Sequence, residues 1–140
     1  MDSHTSENPG RKILITGSTI GAELARAYAA DSTVGTVVYT YRTREPTFSS
    51  SKIMCVSMDL TCERQVEDFM SQLDRLDGVL NTVGLLHEEA MQPEKSISRV
   101  SAKQLMRSLE INALPTLLLA KHSRRVLRRS QGAFFATISA

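Results

Sequence analysis

Cysteine is scarce: Cys55 and Cys62 are the only two in 140 residues, and they form neither a CxxC pair nor a zinc-ligand spacing. Two thiols cannot build the disulfide framework of a small secreted domain, so free thiols in a reducing compartment are expected, and no metal site. Long apolar runs are missing as well. The longest, near residues 114–120, is far too short to span a bilayer. Residues 1–10 are polar and acidic where a secretory signal would be basic and then apolar. A disordered leader over residues 1–10 and a soluble, cytoplasmic protein with no membrane partner are the expectations. Charge of one sign is also lacking, since a net +2 is too little to call for a nucleic-acid partner. There is no internal repeat and no low-complexity linker. With 41% hydrophobic and 23% charged residues, ordinary globular composition, the expectation is one domain over residues 11–140.

What is present is an alternation of strand and helix signals. Arg11-Lys12-Ile13-Leu14-Ile15-Thr16-Gly17 reads as a buried strand ending in a tight turn. Ser18-Thr19-Ile20-Gly21 then leads into a helix over residues 22–30, with Leu24, Ala25 and Tyr28 at helical spacing. Such a helix start presents unpaired N–H groups and a positive dipole end, both attractive to phosphate, and glycine lets a phosphate come close. Residues 35–42, rich in β-branched and aromatic side chains, read as a second strand, residues 53–58 as a third and residues 77–84 as a fourth. Between the last two lies a helix over residues 62–76, with Val66, Phe69, Met70 and Leu73 on one face. One long helix is expected from about Ser101 to about Arg129, in which Pro115 marks a kink or a step. Residues 132–140 read as a fifth strand. Lys121, Arg124, Arg125, Arg128 and Arg129 cluster at that helix's end, where cations complement the dipole and stay solvated.

Strands that alternate with helices predict a parallel sheet covered on both faces, a doubly wound α/β fold. Right-handed crossovers give the order 3-2-1-4-5, with a ligand crevice outside the carboxyl ends of strands one and four. Gly17, Gly21, Asn81 and Gly84 should converge there. After the second strand come Arg42 and Arg44 with no acid between them. A carboxylate at that place accepts the ribose hydroxyls of NAD, whereas arginine complements a 2′-phosphate, so in a dinucleotide-binding domain NADP(H) is favoured over NAD(H) with Arg42 as the first contact; the alternative is two solvated loop arginines.

These residues resemble the short-chain dehydrogenase/reductase family over residues 11–140, and more narrowly its C-factor-type or sniffer-like carbonyl reductases. The marks are Ile13-Leu14-Ile15-Thr16-Gly17, Thr40-Tyr41-Arg42, Asp59-Leu60, Leu80-Asn81-Thr82-Val83-Gly84 and Asn112-Ala113-Leu114-Pro115. The resemblance implies a Rossmann-like domain that binds pyrophosphate at Gly17, Ser18 and Gly21 and adenine at Asp59 and Leu60. It places Asn81 and Gly84 beneath the cofactor, and Asn112 and Ser139 in the catalytic relay, with a small carbonyl or alcohol as substrate. For Asn112 the alternative is a polar residue bonding its own helix backbone; for Ser139 it is that Ala140 occupies the serine's place.

Two departures stand beside the resemblance. The glycine turn lacks one of the family's three glycines: either it is two residues short, or Glu23 stands where the last glycine belongs, adding a negative charge near the helix start. The family's proton donor is a tyrosine with a lysine four residues later, and none of Tyr28, Tyr39 and Tyr41 has that neighbour. The 140 residues as written are therefore expected not to catalyse the family reaction. The fifth strand is expected to leave an apolar sheet edge and the long helix to lack a neighbour. A homo-oligomer, or a non-catalytic protein that pairs with a homologue, follows from that.

Overall fold

The computed structural model describes residues 9–84 and 94–138. Five strands, β1 (Arg11–Thr16), β2 (Val34–Tyr41), β3 (Ile53–Ser57), β4 (Gly78–Asn81) and β5 (Phe134–Thr137), form one parallel sheet in the order β3-β2-β1-β4-β5. This is the doubly wound order expected. Side chains of a strand alternate between faces, and here both faces are buried. Ile13 and Ile15 point with Val37 and Tyr39 toward helix α1 (Thr19–Ala30), where Ala25 and Ala29 meet them. Leu14, Val38 and Val79 point the other way, toward Val66 and Met70 of α2 (Glu63–Ser71) and Leu118, Leu119 and Val126 of α4 (Leu114–Leu127).

The expected long helix is two helices. Helix α3 (Ala102–Asn112) ends at Ala113, and α4 starts immediately after it. Pro115 is the cause: it has no N–H to continue the ladder, and its fixed φ suits the first turn of a new helix. Two other helix bounds differ by three residues or more. Helix α1 begins at Thr19, three residues before the expected start, because Ser18 caps it. Helix α2 ends at Ser71 rather than near Leu76, where the Arg125 guanidinium takes the carbonyls of Met70 and Leu73 at 2.9 and 3.0 Å.

The basic cluster of α4 does more than stay solvated. Arg125 and Arg129 bond carbonyls at and beyond the end of α2, and Lys121 meets Glu63 at its start at 2.5 Å, with His122 on the same oxygen at 2.9 Å. These contacts lower the pKa of Glu63 and raise that of Lys121, each through the bond to the other. Opposite the sheet, α3 and the start of α4 expose Leu105, Met106, Leu109 and Leu117. Phe134 and Phe135 of β5 are half-buried and pack into the two cores. No helix among the described residues is long and apolar enough to cross a membrane, and none of their histidines, cysteines and carboxylates cluster as a metal site would require.

Candidate functional site

The site lies where the sheet reverses its winding, at the carboxyl ends of β1 and β4. Only Gly17 and Ser18 separate β1 from α1. The Ser18 hydroxyl accepts the Gly21 N–H at 3.0 Å, and its carbonyl accepts the Ala22 N–H at 2.9 Å. Those two donors are thus taken, and Thr19 and Ile20 are the positions whose N–H groups this helix start offers an anion. A methyl group on Gly17 would lie 2.3 Å from the Thr40 carbonyl oxygen, and one on Gly21 2.4 Å from that of Thr16 and 2.5 Å from Thr82 Oγ1. Both glycines are therefore demanded by the chain's own packing. Glu23 is exposed and pairs with Arg26 at 2.6 Å, so a counter-charge sits beside it.

A hydroxyl and amide network ties this turn to β4. Asn81 is almost fully buried; its Oδ1 accepts from Thr16 Oγ1 at 2.7 Å and from the Val83 N–H at 3.2 Å. Its Nδ2 donates to Thr116 Oγ1 at 2.8 Å and to Thr137 Oγ1 at 3.3 Å. Thr82 donates from Oγ1 to the Thr16 carbonyl at 2.6 Å and lies 2.8 Å from Ser18 Oγ. Tyr39, its phenol pKa raised by burial, donates to the Ser18 carbonyl at 3.1 Å. Asn81 thus joins β1, α4 and β5 beneath the crevice, with its side chain committed to the protein. Thr16, Tyr39, Thr116 and Thr137 escaped the sequence reading. The available signal was that β1, β4 and β5 each end their apolar run on a polar residue.

Above the network a cavity of about 210 Å³ is lined by Gly17, Arg42, Asp59, Leu60, Thr61, Val83, Gly84, Ile111 and Pro115, among others. Five expected residues therefore meet in one cleft: Gly17, Arg42, Asp59, Leu60 and Gly84. Arg42 is exposed, one residue beyond β2. Asp59 Oδ1 accepts from the Thr61 hydroxyl at 2.7 Å and the Thr61 N–H at 2.9 Å. These bonds hold the Asp59 carboxyl below the usual carboxylate range, and the nearby Arg42 and Arg107 add to the effect. Asn112, at the end of α3, places its Oδ1 3.4 Å from where a Gly84 side chain would begin, and its Nδ2 donates to Ser108 Oγ at 3.3 Å. Ser139 lies outside the described residues.

A doubly wound sheet with a glycine turn and a cleft at its switch point is a frame on which α/β domains bind nucleotides. The chain belongs to the short chain dehydrogenase family, whose sequence profile matches residues 11–140. No curated protein is detectably similar in sequence. Solved structures share the fold at low identity. Aldohexose dehydrogenase from Thermoplasma acidophilum, in ligand-free form, is 17% identical with a TM-score of 0.76, over 94% of this chain and 49% of that one. ElxO with NADP bound is 21% identical with a TM-score of 0.76, over 94% of this chain and 56% of that one. A carbonyl reductase from Pseudomonas aeruginosa PAO1 is 23% identical with a TM-score of 0.72, over 93% and 62%. The chain thus spans from about half to about three fifths of the length of these relatives.

Proposed function

We propose that residues 11–140 bind NADP(H), as the nucleotide-holding part of a short-chain oxidoreductase for carbonyl and alcohol interconversion on a small substrate. The observation that supports this most is the cleft that brings Gly17, Arg42, Asp59, Leu60 and Gly84 together at the switch point. Thr19 and Ile20 would offer backbone donors to the pyrophosphate, Leu60 and Ile111 an apolar wall to the adenine, and Arg42 a cation to the 2′-phosphate. The bound nicotinamide would supply hydride transfer. The narrower likeness to C-factor-type and sniffer-like reductases rests on the sequence marks alone. Within the 140 residues no tyrosine precedes a lysine by four. Asn112 and Ser139 by themselves leave the forming alkoxide without a proton donor, so the reading assigns these residues binding rather than turnover.

A ligand selective for the native state stabilises it by about 2.7 kcal/mol at a hundred times its Kd. Millimolar NADPH is therefore expected to raise the melting temperature by several degrees, and NADH less. Replacing Arg42 with alanine should remove most of that difference. An unchanged melting temperature in millimolar NADPH would overturn the reading.

A second reading, a protein that pairs with another copy or a homologue, draws support from the exposed apolar face of α3 and α4. Met106 of α3 is 65% and Leu117 of α4 64% exposed, both beside a broad groove. Sedimentation equilibrium is then expected to give a mass above 15.5 kDa, returned to that of the monomer by Leu117→Lys. A monomeric wild type would dispose of self-association.

A further inference from the structure

Strands β2 and β3 are parallel neighbours, and a parallel pair is ordinarily joined through a helix. Here residues 42–52 make the connection with no helix. The far end of this loop is bonded in place: the Lys52 carbonyl accepts the Val37 N–H at 2.9 Å, and Lys52 Nζ donates to the Asp31 carbonyl at 3.1 Å. Among the described residues, no backbone-to-backbone bond engages residues 42–49. That stretch begins with Arg42, which lines the cleft at the switch point, and its one large apolar side chain is Phe48.

Phe48 is half-buried and packs against the core shared with α1. Its ring meets that of Tyr39 edge to face, with centroids 5.1 Å apart, and the Arg26 guanidinium of α1 lies over it, 5.2 Å from its centre. Tyr39 in turn donates to the Ser18 carbonyl at 3.1 Å, and its phenol oxygen lies 3.2 Å from where a Gly17 side chain would begin. Gly17 lines the same cleft as Arg42. One aromatic contact thus joins the loop behind Arg42 to the glycine turn.

We infer that Phe48 is a positioning residue for nucleotide recognition: held between Tyr39 and Arg26, it sets the loop that carries Arg42 against the glycine turn and so fixes the preference for a 2′-phosphate. The inference rests on the nucleotide reading above. Phe48 does not line the cleft and acts through Arg42. A loop that is in place only part of the time lowers apparent affinity by that fraction, and the loss falls on the ligand that uses Arg42.

The test is titration of the whole chain with NADPH and with NADH, followed by nucleotide fluorescence, with a melting curve for every variant. Phe48→Ala is expected to weaken NADPH by roughly three- to tenfold and NADH by less than about twofold, while Phe48→Tyr, which keeps the ring, stays near wild type. Phe48→Leu fills much of the same space without a ring. It is expected to recover most of the melting temperature yet keep a reduced NADPH preference, and it serves as the test if the alanine variant fails to fold. In an Arg42→Ala background, Phe48→Ala should leave the ratio of the two affinities unchanged, because the two residues act in series. A wild-type ratio in both Phe48→Ala and Phe48→Leu, whatever their melting temperatures, overturns the inference as ordinary core packing and leaves the nucleotide reading standing. A further loss of NADPH preference in the Arg42→Ala background also overturns it. A wild type that binds neither nucleotide overturns both.

Discussion

Replacing Leu119 with alanine is expected to lower stability by about 2–5 kcal/mol, a large share of what holds any domain of this size together. Leu119 has no exposed surface and packs in the core that also holds Leu14, Val38, Val66, Val79 and Val126. It sits on α4, which the proline at 115 sets off as a separate element. Removing its side chain loses the transfer of three carbons from water and leaves a cavity between helix and sheet that rigid neighbours fill only in part. Leu117 is the internal control. It is two residues away on the same helix and 64% exposed, so at protein concentrations where the chain is monomeric Leu117→Ala is expected to change stability by no more than about 0.5 kcal/mol. Urea denaturation of the two variants checks the contrast, and similar losses in both would mean that α4 does not dock on the sheet through Leu119.

Asn81→Ala should cost about 2–4 kcal/mol, through a different mechanism. Some partners of Asn81 can compensate. Thr116 and Thr137 lie 3.2 Å from each other and can pair, and Thr16 Oγ1 keeps the Thr82 N–H at 2.9 Å. The Val83 N–H cannot, because Asn81 Oδ1 is its acceptor at 3.2 Å. A donor left unpaired at a partly buried site costs about 1–3 kcal/mol, and the vacated space adds to that. Val83 lines the cleft, so the same change should weaken NADPH binding together with stability, whereas Leu119→Ala should act on stability first. Chemical denaturation alongside nucleotide titration separates them. A loss below about 1 kcal/mol for Asn81→Ala would show that the network is dispensable.

The parallel sheet and its order were readable because they rest on patterns that a chain displays locally. The apolar runs of β1 and β2 are short and β-branched, each punctuated by glycine or a polar loop, and right-handed crossovers leave few ways to join them. Of the four residues expected to converge at the crevice, Gly17 and Gly84 line the cleft, whereas Gly21 and Asn81 are packed beside and beneath it. Helix bounds were less accessible. The break at Ala113 depends on how Pro115 is used, and proline is equally compatible with a kink. The Asn81 network was hidden for another reason. Its members, Thr16, Thr82, Thr116 and Thr137, are scattered over more than a hundred positions, and a threonine at a strand end has many ordinary uses.

The bond from Asn81 to Thr137 links residues 56 positions apart, and the Ile138 N–H closes on the Asn81 carbonyl at 2.9 Å. During synthesis the ribosome makes the glycine turn first and this closure last of the described residues. Contacts of such long sequence separation form slowly, after the local turns and helices. A nascent chain released only as far as α4 would hold β1, α1 and β2 but not the strand that fastens the floor of the crevice. On the nucleotide reading proposed above, the crevice gains its fastened floor only at the end of this segment's emergence, when β5 reaches the sheet.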